Sequence, residues 1–436
     1  MTDRTFGFRT RSLHAGTKPD SETGARALPI YQTSAFVFEN TEDAGNLFAL
    51  QKYGNIYSRI GNPTVAAFEE KIASLEGGIG AVATSSGQAA QFLVFAALAG
   101  AGDHIVASSS LYGGTLTQLD VTLRRFGVET TFVASDRPED YAAAITDKTK
   151  FIYAESVSNP SNLVADIEGL AEVAHAAKIP LIIDSTVATP YLLRPIEFGA
   201  DIVVHSATKF LGGHGTTLGG VIIESGTFDW GNGKFPTMVD PVPSYGGVSW
   251  WDNFGEYGFL TKIRSEQLRD IGATLAPLSA FLLVQGVETL AQRMQEHVAN
   301  AKLVAHWLES DPRISWISYS GLKSHKHYDR AQKYLPLGPG SVFSFGVKAT
   351  DESNGREAGE KFINSVQLVS HLANIGDVRT LVLHPASTTH RQLTDEQLIS
   401  ANVPQDLVRI SVGLEDIDDI LWDLDQALHT ATGKDR

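Results

Sequence analysis

The stretch Asp201-Ile-Val-Val-His-Ser206-Ala-Thr208-Lys209-Phe-Leu-Gly212-Gly213-His214 decides how the rest of the chain is read. Its apolar run, Ile202 to Val204, has the β-branched character of a buried strand. The run ends in two hydroxyl residues and a lysine, and glycines follow. A lysine at the end of a buried strand does not serve packing. In a partly desolvated site its amine loses a proton more easily, so a carbonyl cofactor can capture it as a Schiff base. Ser206 and Thr208 flank that amine and offer hydroxyls to a phosphate. Upstream, Leu181-Ile-Ile-Asp184 reads as a second strand, ending in an acid. A lysine that carries a cofactor, together with an acid that pairs a pyridinium nitrogen, is the combination expected for pyridoxal 5'-phosphate.

Composition narrows the alternatives. The 436 residues are 43% hydrophobic and 19% charged, which fits two or three globular domains. A formal charge of −15, spread along the chain, argues against nucleic acid as a partner. No apolar run reaches membrane-spanning length, and the opening Met1-Thr-Asp-Arg-Thr-Phe lacks the apolar core of a signal peptide. A cytoplasmic protein with no membrane partner is the expectation. Cysteine is absent, which excludes disulfides, thiolate zinc sites, iron–sulfur clusters and a cysteine nucleophile. No HExxH pattern occurs, and no metal is expected.

From Thr64 to Gly220 strand and helix patterns alternate about six times, the signature of an α/β fold with a mostly parallel sheet. Polar groups collect after the strands: Gly87, Tyr112, Asn159, Asp184, Ser206 and Lys209. In open α/β sheets ligands bind outside the carboxyl ends of strands. Ser85-Ser86-Gly87-Gln88 opens a helix, where free backbone N–H groups either bind a phosphate or are simply capped. Tyr112, followed by two glycines, reads as a ring-stacking residue or a packed rim residue. Tyr57-Ser-Arg59 lies in a turn-rich arm that either decorates the surface or reaches another subunit and offers Arg59 to an anion. Residues 226–260 are rich in Gly, Pro and Trp. They read as an insertion that packs by its own aromatics, over the site, at a subunit contact or as surface decoration. Beyond it, Ile314–Ser320, Ser341–Val347, Val366–Val369 and Leu407–Val412 are strand candidates. Gly355–Ile363 and Asp416–Ala431 are helix candidates.

Four motifs, Tyr57-Ser-Arg59-Ile-Gly-Asn-Pro-Thr, Ser85-Ser-Gly87-Gln88-Ala-Ala, Asp184-Ser-Thr and Ser206-Ala-Thr208-Lys209, resemble the Cys/Met-metabolism family of pyridoxal-phosphate enzymes, over nearly the whole chain. The resemblance implies an α/β, aspartate-aminotransferase-like (fold type I) large domain and a smaller α+β C-terminal domain. It divides the chain into an arm, 1–63, a cofactor domain, 64–285, and a C-terminal domain, 286–436. It also implies a homotetramer built from dimers that share active sites. By the same resemblance Lys209 carries the cofactor, Asp184 pairs its ring nitrogen, and Tyr112 stacks on the ring and helps move protons. Ser206, Thr208, Gly87 and Gln88 form the phosphate cup, with Tyr57 and Arg59 lent by the neighbouring subunit. Arg409, Asn159, Ser370 and Tyr57 face the substrate, with Arg409 on its carboxylate. Chain length, Gln88, and the stretch from Leu372 through Asp377 and His384 to His390 are similar to the O-acetylhomoserine sulfhydrylase branch. Gly114 stands where methionine-cleaving lyases carry a cysteine. The implied reaction joins an amino-acid ester to sulfide or methanethiol. Sister activities that use the succinyl ester, form cystathionine or cleave methionine are the alternatives.

Overall fold

The structure, a computed structural model, describes residues 4–350, 353–389, 391 and 403–436. His390 lies outside them. The chain divides into two compact units: the residues up to Ser156 with Asp166–Leu290, and Val157–Ala165 with the residues from Ala291 onward.

The first unit is built on seven strands: β1 (Gly80–Thr84), β2 (His104–Ser108), β3 (Glu129–Val133), β4 (Thr149–Glu155), β5 (Leu181–Asp184), β6 (Ile202–Ser206) and β7 (Gly220–Glu224). Their order is β1-β7-β6-β5-β4-β2-β3. Strands β6, β5, β4, β2 and β3 run parallel, and β7 is antiparallel to both its neighbours. A parallel sheet is covered on both faces, so its strands are apolar almost without interruption. Ile182, Ile183, Val203, Ile222 and Ile223 are fully enclosed. Each such side chain contributes about 1.5–3 kcal/mol of transfer free energy. That reserve holds the polar groups placed at the strand ends.

The helix Pro63–Glu76 starts where the Asn62 side chain accepts the Thr64 N–H, and it stops at Gly77, whose φ of 87° suits glycine. Its Glu76 meets His205 of β6 at 3.1 Å, with both side chains fully buried. The short helix Phe8–His14 lies on it, with Lys71 Nζ donating to Ser12 O at 2.7 Å. Between these anchors and Thr64 the chain is open: Val37 is 100% exposed and Tyr53 85%.

The stretch 226–260 is not surface decoration. Phe228, Trp230, Phe235, Trp250 and Phe259 enter the same core as the helix Gly87–Leu98. Trp230 stacks on Phe259 at 4.8 Å and meets Phe235 edge-on at 5.2 Å. The segment hangs from Glu224, which takes the Trp230 indole N–H at 2.8 Å. Glu224 pairs with Ile202, the first residue of β6, so this anchor lies at the sheet edge opposite Ser206.

Among the described residues the second unit holds five strands, β8 (Ile314–Ser318), β9 (Val342–Val347), β10 (Ser370–His371), β11 (Leu381–Leu383) and β12 (Leu407–Ser411), in the order β10-β11-β12-β9-β8. The helices Leu290–Glu309, Gly355–Ile363 and Ile417–Thr432 bury their apolar faces in its core. The expected strand Val366–Val369 does not form. Its N–H groups at Gln367, Leu368 and Val369 all go to the buried carboxylate of Asp423, at 2.8, 2.9 and 2.8 Å. With these donors already satisfied by one side chain, none is left for a strand partner. Only Ser370 and His371 pair with β11.

Candidate active site

The carboxyl ends of β1, β2, β5 and β6 bring Gly87, Gln88, Tyr112, Asp184, Ser206, Thr208 and Lys209 to one edge of the first unit. After β1, Ser86 caps the helix Gly87–Leu98 by accepting the Ala89 N–H at 3.1 Å, and the Ala90 N–H goes to Ser86 O at 3.0 Å. The amides of Gly87 and Gln88 then remain for an outside acceptor, since a helix cannot satisfy its own first turn. Gly87 has no room for a side chain: a Cβ there would stand 2.6 Å from Ser206 Cβ and 2.8 Å from its Cα. The absence of a Cβ lets the helix start sit against the end of β6. Gly220 meets Ser86 O in the same way, at 2.1 Å from its would-be Cβ.

Beyond β6 the chain turns tightly. The Lys209 N–H bonds Ser206 O at 3.2 Å, and Lys209 O accepts from Gly213 at 2.7 Å. The lysine is thereby fixed three residues past Ser206 and remains half-buried. Thr208 Oγ1 accepts the Gly219 N–H at 3.0 Å, so this hydroxyl also braces the turn.

Asp184 ends β5, beside Val204 of β6. Its carboxylate accepts the Thr186 N–H at 2.9 Å. Thr186 Oγ1 in turn accepts the Ser206 N–H at 2.8 Å. Burial pushes the Asp184 carboxyl above its ordinary value, and hydrogen bonds from Thr186 and Tyr153 with the nearby His205 pull it back only in part. A partly buried acid in this state favours a cationic partner. Tyr112 follows β2. Its N–H donates to Glu155 Oε1 at 2.5 Å, and its ring, half exposed, lies against Gly114. A Cβ on Gly114 would be 2.5 Å from that ring and 3.0 Å from Gln88 Nε2.

Tyr57 and Arg59 stand apart on the open arm. The guanidinium lies over the Tyr57 ring, 5.2 Å from its centroid, and both residues are exposed.

In the second unit Arg409 lies on β12, opposite Ser344 of β9 and Leu383 of β11. Its Nη2 donates to Asn374 O at 3.0 Å and its Nη1 to Asn159 Oδ1 at 3.4 Å. Asn159 reaches this place because 157–165 is fastened to the second sheet. Asn162 donates to Val342 O at 2.8 Å and accepts the Ser320 N–H at 2.7 Å. Ser344 Oγ donates to Pro160 O at 2.8 Å. Ser370 sits on the edge strand β10 and gives its N–H to Thr380 O.

Thr186, Tyr153 and Glu155 belong to this edge and carry no role in the sequence reading. Only Thr186 had a signal, its place in the Asp184-Ser-Thr motif.

A model of the family described as Cys/Met metabolism PLP-dependent enzyme matches residues 9–429. The chain belongs to that family. As a Cys/Met-metabolism enzyme it uses pyridoxal phosphate, and the residues above fit that group: an amine, a partly buried acid, and a helix start with a glycine no side chain can replace. It is similar to Sulfhydrylase FUB7 of Fusarium oxysporum f. sp. lycopersici, 53% identical over 99% of this chain and 100% of that protein. It is 48% identical to the O-acetyl-L-homoserine sulfhydrylase of Leptospira meyeri, over 98% and 97% of the two chains. Among solved structures, a Campylobacter jejuni protein assigned as an O-acetylhomoserine (thiol)-lyase superposes with a TM-score of 0.93 at 38% identity, covering 97% of this chain and 100% of that one. That structure carries a pyridoxyl-lysine phosphate. The Cys/Met-metabolism enzyme described here therefore has the expected α/β, fold type I architecture.

Proposed function

We propose that the chain replaces the acetate at Cγ of O-acetyl-L-homoserine with sulfide or methanethiol, giving homocysteine or methionine and free acetate. Lys209 held at the carboxyl end of β6, one strand from Asp184, carries the chemistry of this reading. The end-to-end likeness to the Leptospira meyeri sulfhydrylase supports the choice of substrate.

Pyridoxal phosphate, when bound, supplies an electron sink that makes hydrogens on Cα, and then on Cβ, acidic. The protein's own groups do the rest. Lys209, once its amine is displaced by the substrate's, takes the proton from Cα, moves the one from Cβ and returns them after the thiol has added. Asp184 stays ionised beside the ring nitrogen. The amides of Gly87 and Gln88, with Ser206 and Thr208, hold the phosphate. Tyr112 covers the ring and assists proton movement. Arg409 binds the substrate carboxylate with a planar fork suited to it, helped by Asn159 and Ser370. Tyr57 and Arg59 act in a neighbouring copy's site. The bare arm around Val37 and Tyr53 supports this, since large exposed apolar groups mark a contact surface. A homotetramer is the assembly we expect, in the cytoplasm. Among the described residues no helix is long and apolar enough to cross a membrane.

Product analysis tests the reading. Acetyl and succinyl homoserine are each supplied with sulfide, methanethiol or cysteine. Turnover of the acetyl ester with sulfide or methanethiol should dominate. Faster use of the succinyl ester, or cystathionine as main product, overturns it. Lys209→Ala should abolish borohydride-fixable cofactor and turnover, and retention of both would refute the lysine's role.

A further inference from the structure

A buried polar network lies beneath the site edge and has no part in the roles given so far. Gln91, on the helix Gly87–Leu98, donates its two amide protons to Gln88 Oε1 at 2.6 Å and Gln118 Oε1 at 2.7 Å. Both protons are spent, so the amide is locked and its Oε1 can only accept. It accepts the Thr115 hydroxyl at 3.2 Å and the Tyr153 hydroxyl at 3.0 Å. Tyr153 is fully buried on β4, opposite Ile182. Asp184 is two residues further along β5, and residues two apart share a face. Tyr153 and Asp184 are thus diagonal neighbours on adjacent strands, a separation that an aromatic side chain can span.

A phenol has one proton; here it goes to Gln91, and Asp184 is a second acceptor on the same face. A hydrogen bond to an ionised carboxylate is about twice as strong as one to a neutral amide. The proton turns to Asp184 when that group is charged and to Gln91 when it is not. We propose that Tyr153, whose proton Gln91 takes when Asp184 does not, is a positioning residue that holds Asp184 in its ionised form and so keeps the cofactor's ring nitrogen protonated. This rests on the assignment of Asp184 to that nitrogen. The other titratable groups around the pair are Glu155, on the same strand as Tyr153, and His205 on β6. Burial, with Asp184 and Glu155 nearby, pushes the Tyr153 phenol well above its ordinary value, so it remains a donor.

Two measurements decide. The first is the affinity of the apoprotein for pyridoxal phosphate in the wild type, Tyr153→Phe, Asp184→Asn and the double variant. Tyr153→Phe should weaken binding about tenfold in the wild-type background and less than about twofold in the Asp184→Asn background, because its effect passes through the carboxylate. Equal loss in both backgrounds, or none in either, overturns the proposal. An Asp184→Asn variant that binds as well as the wild type sinks the Asp184 assignment instead. The second is the nitrogen-15 resonance of ring-labelled cofactor in the holoenzyme. Tyr153→Phe should move it toward the unprotonated position, and Gln91→Met, which removes the competing acceptor together with the bonds to Gln88, Gln118 and Thr115, should not. Should Tyr153→Phe fail to fold, a move toward the unprotonated position in Gln91→Met alone is enough to reject the idea.

Discussion

Glu224 should weaken the fold at neutral pH, and replacing it should stabilise the protein by a pH-dependent amount. The side chain is 1% exposed. Oε1 takes the Trp230 N–H, and Oε2 is buried without a partner. Burial pushes the carboxyl from 4.5 to about 8, against the pull of the Trp230 and Leu260 N–H groups, with Asp201 and Glu256 adding to the rise. The folded chain therefore binds this proton more tightly than the unfolded chain. Its contribution to stability is complete below pH 4.5, falls as pH rises toward about 8, and is flat beyond. At about 1.4 kcal/mol per pH unit the loss is roughly 3 kcal/mol at pH 7 and roughly 5 kcal/mol above pH 8. Glu224→Gln keeps the shape and the bond from Trp230 and is neutral throughout. Urea unfolding of holoenzyme, wild type against Glu224→Gln, should give matching curves near pH 4.5. The variant should lead increasingly at pH 7 and 8.5. Asp201, whose carboxyl is also raised by burial, is common to both proteins and cancels in the difference. A gap that does not change with pH, or a variant weaker at pH 8.5, refutes the reasoning.

Two further substitutions probe the site itself. Gly87→Ala puts a methyl group 2.6 Å from Ser206 Cβ and 2.8 Å from backbone, so the helix start must withdraw from β6. Affinity for pyridoxal phosphate should fall about tenfold or more, as expected when phosphate-facing amides lose their alignment, and an unchanged dissociation constant would contradict the cradle. Arg409→Ala should raise KM for the ester about a hundredfold while kcat changes less, because a charge-assisted fork is lost in ground and transition states alike. A steady-state assay with unchanged KM removes Arg409 from the carboxylate.

Much of the first unit was legible in the sequence because function interrupts pattern there. Asp184, Ser206 and Lys209 each break an apolar run at the end of a strand, and Gly87 follows a hydroxyl at a helix start. What escaped depends on partners far apart in the chain. The amide of Gln91 and the phenol of Tyr153 are 62 residues apart, and nothing in either neighbourhood announces the other. Val366–Val369 has a strand's composition, yet Asp423, more than 50 residues on, claims its N–H groups. The aromatic stretch around Trp230 was visible as composition. Its entry into the core depends on Glu224, whose burial no local pattern reveals.

The assignment of 157–165 to the second unit makes that unit discontinuous. The chain visits it for nine residues, goes back to complete β5, β6 and β7, and returns for good only after Leu290. Asn162 closes contacts with Val342 across 180 residues of sequence. A fragment cut at Ala291 would leave the carbonyl of Val342 and the amide of Ser320 without the side chain that serves them, and Arg409 without Asn159. The smaller unit is thus not a module that can be cloned or swapped as one contiguous piece. During synthesis it cannot finish until most of the larger one has left the ribosome.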